Sequence, residues 1–215
     1  NGIQDNIDAF NDANSQYKKG LALMPICFGI SFTNTPMNHA RALVHIYQDG
    51  SVGISTGAVE MGQSVNTKMI QVAASVFSID KSLIKLETTN TTRVANTSPS
   101  AASATADLNG KALLKACNEL SKRLLQVASD ELSIGVDRLN LNDGWLYVNA
   151  EKSDIDWSTL IFKAFWKRVC LTENGHYATP IINFDKSKEK GHPFAYHVYG
   201  TAMITTKVDC LRGIY

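Results

Sequence analysis

Two stretches of small and polar residues stand where a loop is predicted to lead into a helix. Residues 57–63 read Gly-Ala-Val-Glu-Met-Gly-Gln, and residues 96–105 read Asn-Thr-Ser-Pro-Ser-Ala-Ala-Ser-Ala-Thr. The first N–H groups of a helix lack an intrahelical acceptor and lie at the positive end of its dipole. They can therefore bind an anion such as a phosphate, or the polar edge of a cofactor. Gly62 and Ala102 lack bulk and leave room for a ligand. The side chains that add hydrogen-bond donors and acceptors are Gln63, Ser103 and Thr105.

Each stretch taken alone also fits an ordinary helix start. Glycine before a helix is a common turn residue, and Ser98-Pro99 fits an N-cap with proline at the first helical position. The residue pattern alone therefore predicts two candidate anion-binding helix starts and identifies no ligand.

A third candidate lies at the end of a predicted strand, where Phe32 is followed by Thr33. A phenyl ring can stack on a planar ligand, and a threonine hydroxyl can hydrogen-bond to that ligand's edge. Packing in the core is the alternative role for this phenylalanine, and the pattern itself does not decide between the two.

The elements that must position these residues follow from hydrophobic spacing. Helical periodicity predicts helices, and apolar runs bounded by turn residues predict strands. The chain is predicted to form helices over 3–18, 63–77, 101–128 and 157–169, and strands over 21–33, 42–47, 52–56, 84–88, 139–141, 145–148, 177–184 and 196–210. The sequence also predicts a type I′ turn at Asp49-Gly50 and a β-β-α-β unit over about 42–88. The predicted class is α/β or α+β, with mixed sheets and β-hairpins packed against two main helices.

Composition excludes several classes of function. The 215 residues carry a formal charge of +1, which gives no field to attract nucleic acid or an anionic membrane. No apolar run approaches the roughly 18 residues of a membrane span. The four cysteines are far apart and form no CxxC pair, so we expect buried reduced thiols and no zinc or iron–sulfur site: Cys27, Cys117, Cys170 and Cys210. The missing initial Met predicts a piece of a longer polypeptide.

Several of these stretches together resemble the molybdenum-cofactor domain of the xanthine dehydrogenase/aldehyde oxidase family. The similar runs are residues 42–52 (ALVHIYQDGSV), 60–63 (EMGQ), 96–103 (NTSPSAAS) and 106–110 (ADLNG). They occur in the family's order and are most similar to xanthine dehydrogenases. Shorter similar runs at 177–180, 193–194, 199–200 and 209–211 extend the resemblance across nearly the whole chain. The resemblance implies that residues 1–215 are a fragment from the C-terminal part of that domain.

What the family does then becomes an expectation for this chain. The resemblance implies a cytoplasmic oxidoreductase that hydroxylates purines such as hypoxanthine and xanthine. Molybdopterin would hold the molybdenum, so the chain would supply no metal ligand. Iron–sulfur clusters and FAD would lie in other domains or subunits, and the remainder of the molybdenum domain would be a partner. Aldehyde oxidase, another N-heterocycle hydroxylase, or a noncatalytic partner-binding domain remain alternatives.

The resemblance also implies roles for individual residues. Cofactor-contacting positions would be Met61, Gly62, Gln63, Ala101, Ala102, Ser103 and Thr105, and the substrate-binding positions would be Phe32 and Thr33. Thr105 stands where many relatives have serine. The family's general-base glutamate lies beyond the end of this chain, so no catalytic residue is assigned here and the chain alone is expected to be inactive. Glu60 is expected to brace its loop rather than to transfer protons.

Overall fold

The computed structural model describes residues 2–87 and 89–215, which divide into two units of different construction. The first unit comprises residues 2–30 and 196–215. Its helix α1 spans Gly2–Ala13, and its strands β1 (Tyr17–Ile30) and β11 (Tyr196–Asp209) form a long antiparallel ribbon. The predicted helix over 3–18 ends early because Tyr17 already pairs with Asp209 across the ribbon. Long-range pairing here overrides a local helical pattern.

The second unit, residues 31–195, contains the four-stranded sheet that carries the candidate loops. Strands β2 (His39–Ile46) and β3 (Val52–Thr56) form the predicted hairpin, and helix α2 (Val65–Phe77) leads to strand β4 (Ile84–Leu86), parallel to β3. The β-β-α-β order is as predicted, although Thr88, its predicted last residue, lies outside the described residues. The turn has a positive φ at Gly50 and not at Asp49, so it is not the predicted type I′ turn.

The long helix α3 spans Thr105–Leu132, four residues later at each end than predicted. Its start is delayed because Ala102 and Ser103 have φ angles of +52° and +51°, which no α-helix contains. Its predicted apolar stripe is buried: Leu108, Ala112, Leu113, Ala116, Leu120, Leu124 and Val127. Strand β8 (Thr172–Ala178) packs so closely on this helix that a Cβ at Gly175 would lie 1.9 Å from the Ala112 carbonyl oxygen.

The remaining elements form a three-stranded sheet, a helix and a short two-stranded sheet in the C-terminal part of the unit. Strands β5 (Leu139–Asn142), β6 (Trp145–Val148) and β7 (Glu151–Asp156) pair in that order, helix α4 (Trp157–Trp166) follows, and β9 (Asn183–Asp185) pairs with β10 (Lys190–His192). The predicted strand over 177–184 is wrong, because β8 ends at Ala178 before a turn through Pro180. The mixed α/β class with β-hairpins is confirmed.

Only part of the expectation about the cysteines is confirmed. Cys117 is buried, and its burial raises the thiol pKa to about 12, but the other three cysteines are exposed, so the expectation of buried thiols fails for them. Within residues 2–87 and 89–215, none of the helices combines the length and apolar character that crossing a bilayer requires.

Candidate functional site

The first candidate loop, residues 57–64, is held by a carboxylate that belongs to the loop itself. Glu60 Oε1 accepts hydrogen bonds from the N–H groups of Gly62 (2.9 Å) and Ser64 (3.0 Å), and its Oε2 accepts one from Asn66 (3.0 Å). These bonds, that from Asn66 most strongly, lower the pKa of Glu60. The expectation of unpaired amides at the start of α2 is therefore wrong, because Glu60 already occupies the anion position there. We call residues 57–64 the Glu60 loop.

Gln63 also closes the Glu60 loop on itself. Its Oε1 accepts a hydrogen bond from Met61 N–H at 2.6 Å, and its Nε2 donates one to the Val59 carbonyl at 2.8 Å. Met61 is 66% exposed, and Gly62 has a φ of +95° with open space where a Cβ would stand. These three candidate residues therefore form an accessible, internally bonded turn.

The second candidate loop, residues 96–104, has the opposite character. Ala101 N–H donates to the Pro99 carbonyl and Ala104 N–H to the Ala101 carbonyl, which makes a tight turn. The amides of Ala102, Ser103 and Thr105 have no hydrogen-bond acceptor among the residues that the structure describes. Ala102 and Ser103 are successive left-handed residues other than glycine, a conformation that costs roughly 1–3 kcal/mol for each residue. We call residues 96–104 the Ala102 loop.

The two loops lie side by side in the second unit. Val59 N–H donates to Ser100 Oγ at 2.8 Å, directly joining the Glu60 loop to the Ala102 loop. Asn109 ties the Glu60 loop to the start of α3, directly after the Ala102 loop, because its Oδ1 accepts from Gly57 N–H (3.1 Å) and its Nδ2 donates to the Thr105 carbonyl (2.9 Å). Sequence reasoning placed Asn109 in a motif but gave it no role.

A close contact between the same loops depends on a glycine. A Cβ at Gly57 would lie 2.2 Å from Thr97 Cγ2, so only glycine fits beneath this threonine. Thr97 Oγ1 is buried and has no hydrogen-bond partner among the described residues. An orphaned buried hydroxyl costs free energy unless a ligand or water satisfies it, so Thr97 is a further candidate binding group, one that the sequence patterns did not single out.

Phe32 is connected to the Ala102 loop through Asn38 and His39. It is half-buried and, contrary to the prediction, stands beyond the end of β1 in a turn, and Thr33 beside it is exposed. Asn38 binds the Phe32 backbone, and the next residue, His39, accepts a hydrogen bond from Ser98 N–H of the Ala102 loop at 3.3 Å. A short series of contacts thus links the candidate substrate residues to the candidate cofactor residues.

The chemistry of the donor groups at the two loops bears on which cofactor they fit. Among residues 2–87 and 89–215, no group of three or more His, Cys, Asp or Glu side chains could hold a metal ion. The donor set at the two loops is instead backbone amide, hydroxyl and carboxamide, which suits a polar or anionic organic cofactor.

The second unit is thus an α/β fold with two adjoining polar loops, each leading into a helix. Residues 2–215 match the family model of the molybdopterin cofactor-binding domain. The chain is 39% identical over 207 residues to xanthine dehydrogenase/oxidase of Mus musculus and 39% identical over 206 residues to xanthine dehydrogenase 1 of Arabidopsis thaliana. Each match covers 96% of this chain but only 14% of the relative's length. The chain therefore belongs to the molybdopterin cofactor-binding domain family.

Solved structures share the fold at lower sequence identity. Quinoline 2-oxidoreductase from Pseudomonas putida 86 superposes with a TM-score of 0.76 at 16% identity, over 97% of this chain and 27% of that one. Aldehyde oxidoreductase from Desulfovibrio gigas gives a TM-score of 0.68 at 18% identity, over 97% and 21%. The unsatisfied amides, the orphaned Thr97 hydroxyl and the organic donor set fit molybdopterin.

Proposed function

We propose that this chain forms one part of the molybdopterin and substrate pocket of a molybdenum hydroxylase that acts on purines such as hypoxanthine and xanthine. The observation that carries the proposal is the junction of the Glu60 and Ala102 loops, joined by the Val59–Ser100 hydrogen bond. The similarity to enzymes named xanthine dehydrogenase supports the purine substrate.

The Ala102 loop is proposed as the main cofactor-binding segment. Its N–H groups at Ala102, Ser103 and Thr105 would donate to the polar edge of molybdopterin, and Ala101 holds the turn that presents them. Preformed donors bind without a further ordering cost, because the strained backbone is already fixed. Molybdopterin, when bound, supplies the molybdenum and its redox chemistry.

The Glu60 loop is proposed as a second wall of the same pocket. Met61, Gly62 and Gln63 are the residues proposed to contact the cofactor, and Glu60 keeps their turn in shape. Glu60 is a poor general base, because its carboxylate is stabilised in the charged form by three backbone amides. The proton-accepting residue is proposed to lie elsewhere in the whole protein.

Phe32 and Thr33 are proposed to bind the substrate. The half-buried Phe32 would stack on the planar ring, and the exposed Thr33 hydroxyl would hydrogen-bond to its edge. The chain alone is proposed to be inactive. Its proposed partners are the remainder of the molybdenum domain and the iron–sulfur and FAD domains or subunits. The whole protein is proposed to work in the cytoplasm.

A second candidate is oxidation of an aldehyde or another N-heterocycle. The fold similarity to quinoline 2-oxidoreductase and aldehyde oxidoreductase favours it, because the same scaffold occurs in proteins with those names. A substrate panel for the full-length protein, containing xanthine, hypoxanthine, benzaldehyde and quinoline, distinguishes the two candidates.

The test of the cofactor site compares full-length wild type with Gln63→Ala. We expect Gln63→Ala to lower the molybdenum content or the turnover rate, because it removes both bonds that shape the turn. Gln126→Ala is the matched control, since Gln126 is an exposed glutamine on α3 that bonds only to Asp130 among the described residues. Normal molybdenum occupancy together with a normal rate in Gln63→Ala would refute the assignment. Wild-type protein that lacks molybdenum would favour the noncatalytic, partner-binding alternative.

A further inference from the structure

We infer that Asn38 is a positioning residue, which fixes Phe32 in the orientation that the substrate ring needs. This inference rests on the proposed function, in which Phe32 stacks on the substrate. It assigns a role to a residue that the sequence patterns did not single out.

The Asn38 side chain binds both backbone polar groups of Phe32. Its Oδ1 accepts a hydrogen bond from Phe32 N–H at 2.7 Å, and its Nδ2 donates to the Phe32 carbonyl at 2.9 Å and to the Thr35 carbonyl at 3.1 Å. Asn38 is only 3% exposed, so water does not compete with these bonds. A carboxamide is required, because it alone among side chains of this length offers an acceptor and two donors.

The backbone of Asn38 is anchored in turn. Its N–H donates to the Thr35 carbonyl at 3.1 Å, and its carbonyl accepts from Thr179 N–H at 2.9 Å. Strand β2 begins at the next residue, His39, whose carbonyl accepts from Ser98 of the Ala102 loop. Through Asn38, the backbone of Phe32 is therefore held to the sheet and to the proposed cofactor loop.

The residue before Phe32 shows why such a clamp is needed. Ser31 has a φ of +141°, in a region that residues with a side chain rarely adopt. Its buried hydroxyl accepts a hydrogen bond from Ala195 N–H at 3.4 Å. A strained residue persists only when its surroundings hold it, so loss of the Asn38 bonds lets Ser31 relax and Phe32 move. A displaced ring binds substrate more weakly, since the ordering cost is then paid on binding.

The experiment is a double-mutant cycle in the full-length enzyme, with KM, kcat, molybdenum content and melting temperature measured for each variant. We expect Asn38→Ala to raise the substrate KM about tenfold with unchanged molybdenum content, because Phe32 loses its fixed position. In a Phe32→Ala background, the same substitution should change KM less than about twofold, since no ring remains to position. If Asn38→Ala fails to fold, Asn38→Asp replaces it, because aspartate keeps the size and the acceptor but not the two donors.

Asn34→Ala is the matched control. Asn34 is an exposed asparagine in the same turn, its side chain makes no capping bond, and KM should stay at the wild-type value. An undiminished KM effect in the Phe32→Ala background, or a loss of stability with unchanged KM, would overturn the role of Asn38. Molybdenum-loaded wild type that turns over no purine, aldehyde or N-heterocycle would instead refute the proposed function, and the inference with it.

Discussion

The two candidate loops adjoin, yet they differ in whether their backbone amides have hydrogen-bond acceptors. In the Glu60 loop, side chains of the loop itself accept from Met61, Gly62, Ser64 and Asn66. In the Ala102 loop, the successive left-handed residues Ala102 and Ser103 turn the chain, and three nearby amides have no acceptor among the described residues. The contrast teaches that similar sequence signals, small residues before a helix, can produce either a loop whose amides are satisfied from within or one whose amides are left without an acceptor.

The largest effect is expected from a side chain at Gly57, where the Glu60 loop touches the Ala102 loop. Gly57→Ala should destabilise the protein by about 2–3 kcal/mol, because the new Cβ would clash with Thr97. Chemical denaturation of the full-length protein measures this loss. Combining the change with Thr97→Gly should restore part of the stability, and equal losses in both backgrounds would show that the contact is not the cause.

The left-handed backbone of the Ala102 loop predicts a smaller effect of defined sign. Ala102→Val should cost about 1–2 kcal/mol, since a β-branched residue tolerates a φ near +52° poorly. Ala102→Gly should be neutral or stabilising, because glycine adopts this conformation without strain. Thermal unfolding of the two variants checks the prediction, and a stabilising valine would contradict the left-handed turn.

The hydrogen bond between the loops predicts an effect of about 1 kcal/mol. Ser100→Ala removes the acceptor for Val59 N–H and should lower the free energy of unfolding by that amount. Ser100→Thr retains a hydroxyl and is the matched control. Equal stability of all three proteins would mean that the bond does not tie the loops together.

The smallest effect is a pH dependence confined to the Glu60 loop. The pKa of Glu60 is lowered in the folded state, so its stabilisation is present above the unfolded value of 4.5 and is lost as the pH falls through the folded value. Glu60→Gln should therefore lower the melting temperature at pH 7, and the difference should shrink below pH 4.5. A difference that persists unchanged in acid would remove the carboxylate from the explanation.

Local patterns predicted the elements whose structure is local. The buried stripe of α3 and the β2–β3 hairpin follow from spacing and turn residues alone. The end of α1 did not, because Tyr17 pairs with a residue nearly two hundred positions away. Similarly, β8 packs against α3 through Gly175, a contact that no local window contains.

The sequence indicated where the two candidate loops lie, but not the conformation of their backbone. Motif resemblance located both loops, but alanine and serine do not signal the left-handed conformations at Ala102 and Ser103. The Asn38 side chain that binds the Phe32 backbone was likewise not predicted, whereas the loop-bracing role of Glu60 agrees with the expectation from the resemblance. These features depend on where a side chain folds back, which spacing does not encode.

Amide hydrogen exchange in the full-length protein, with and without bound molybdopterin, tests the central claim most directly. The N–H groups of Ala102, Ser103 and Thr105 should exchange rapidly in the cofactor-free protein and become protected on loading. Those of Gly62, Ser64 and Asn66 should be protected in both states, because Glu60 already holds them. Unchanged exchange at Ala102 and its neighbours upon loading would contradict the open cofactor-binding surface.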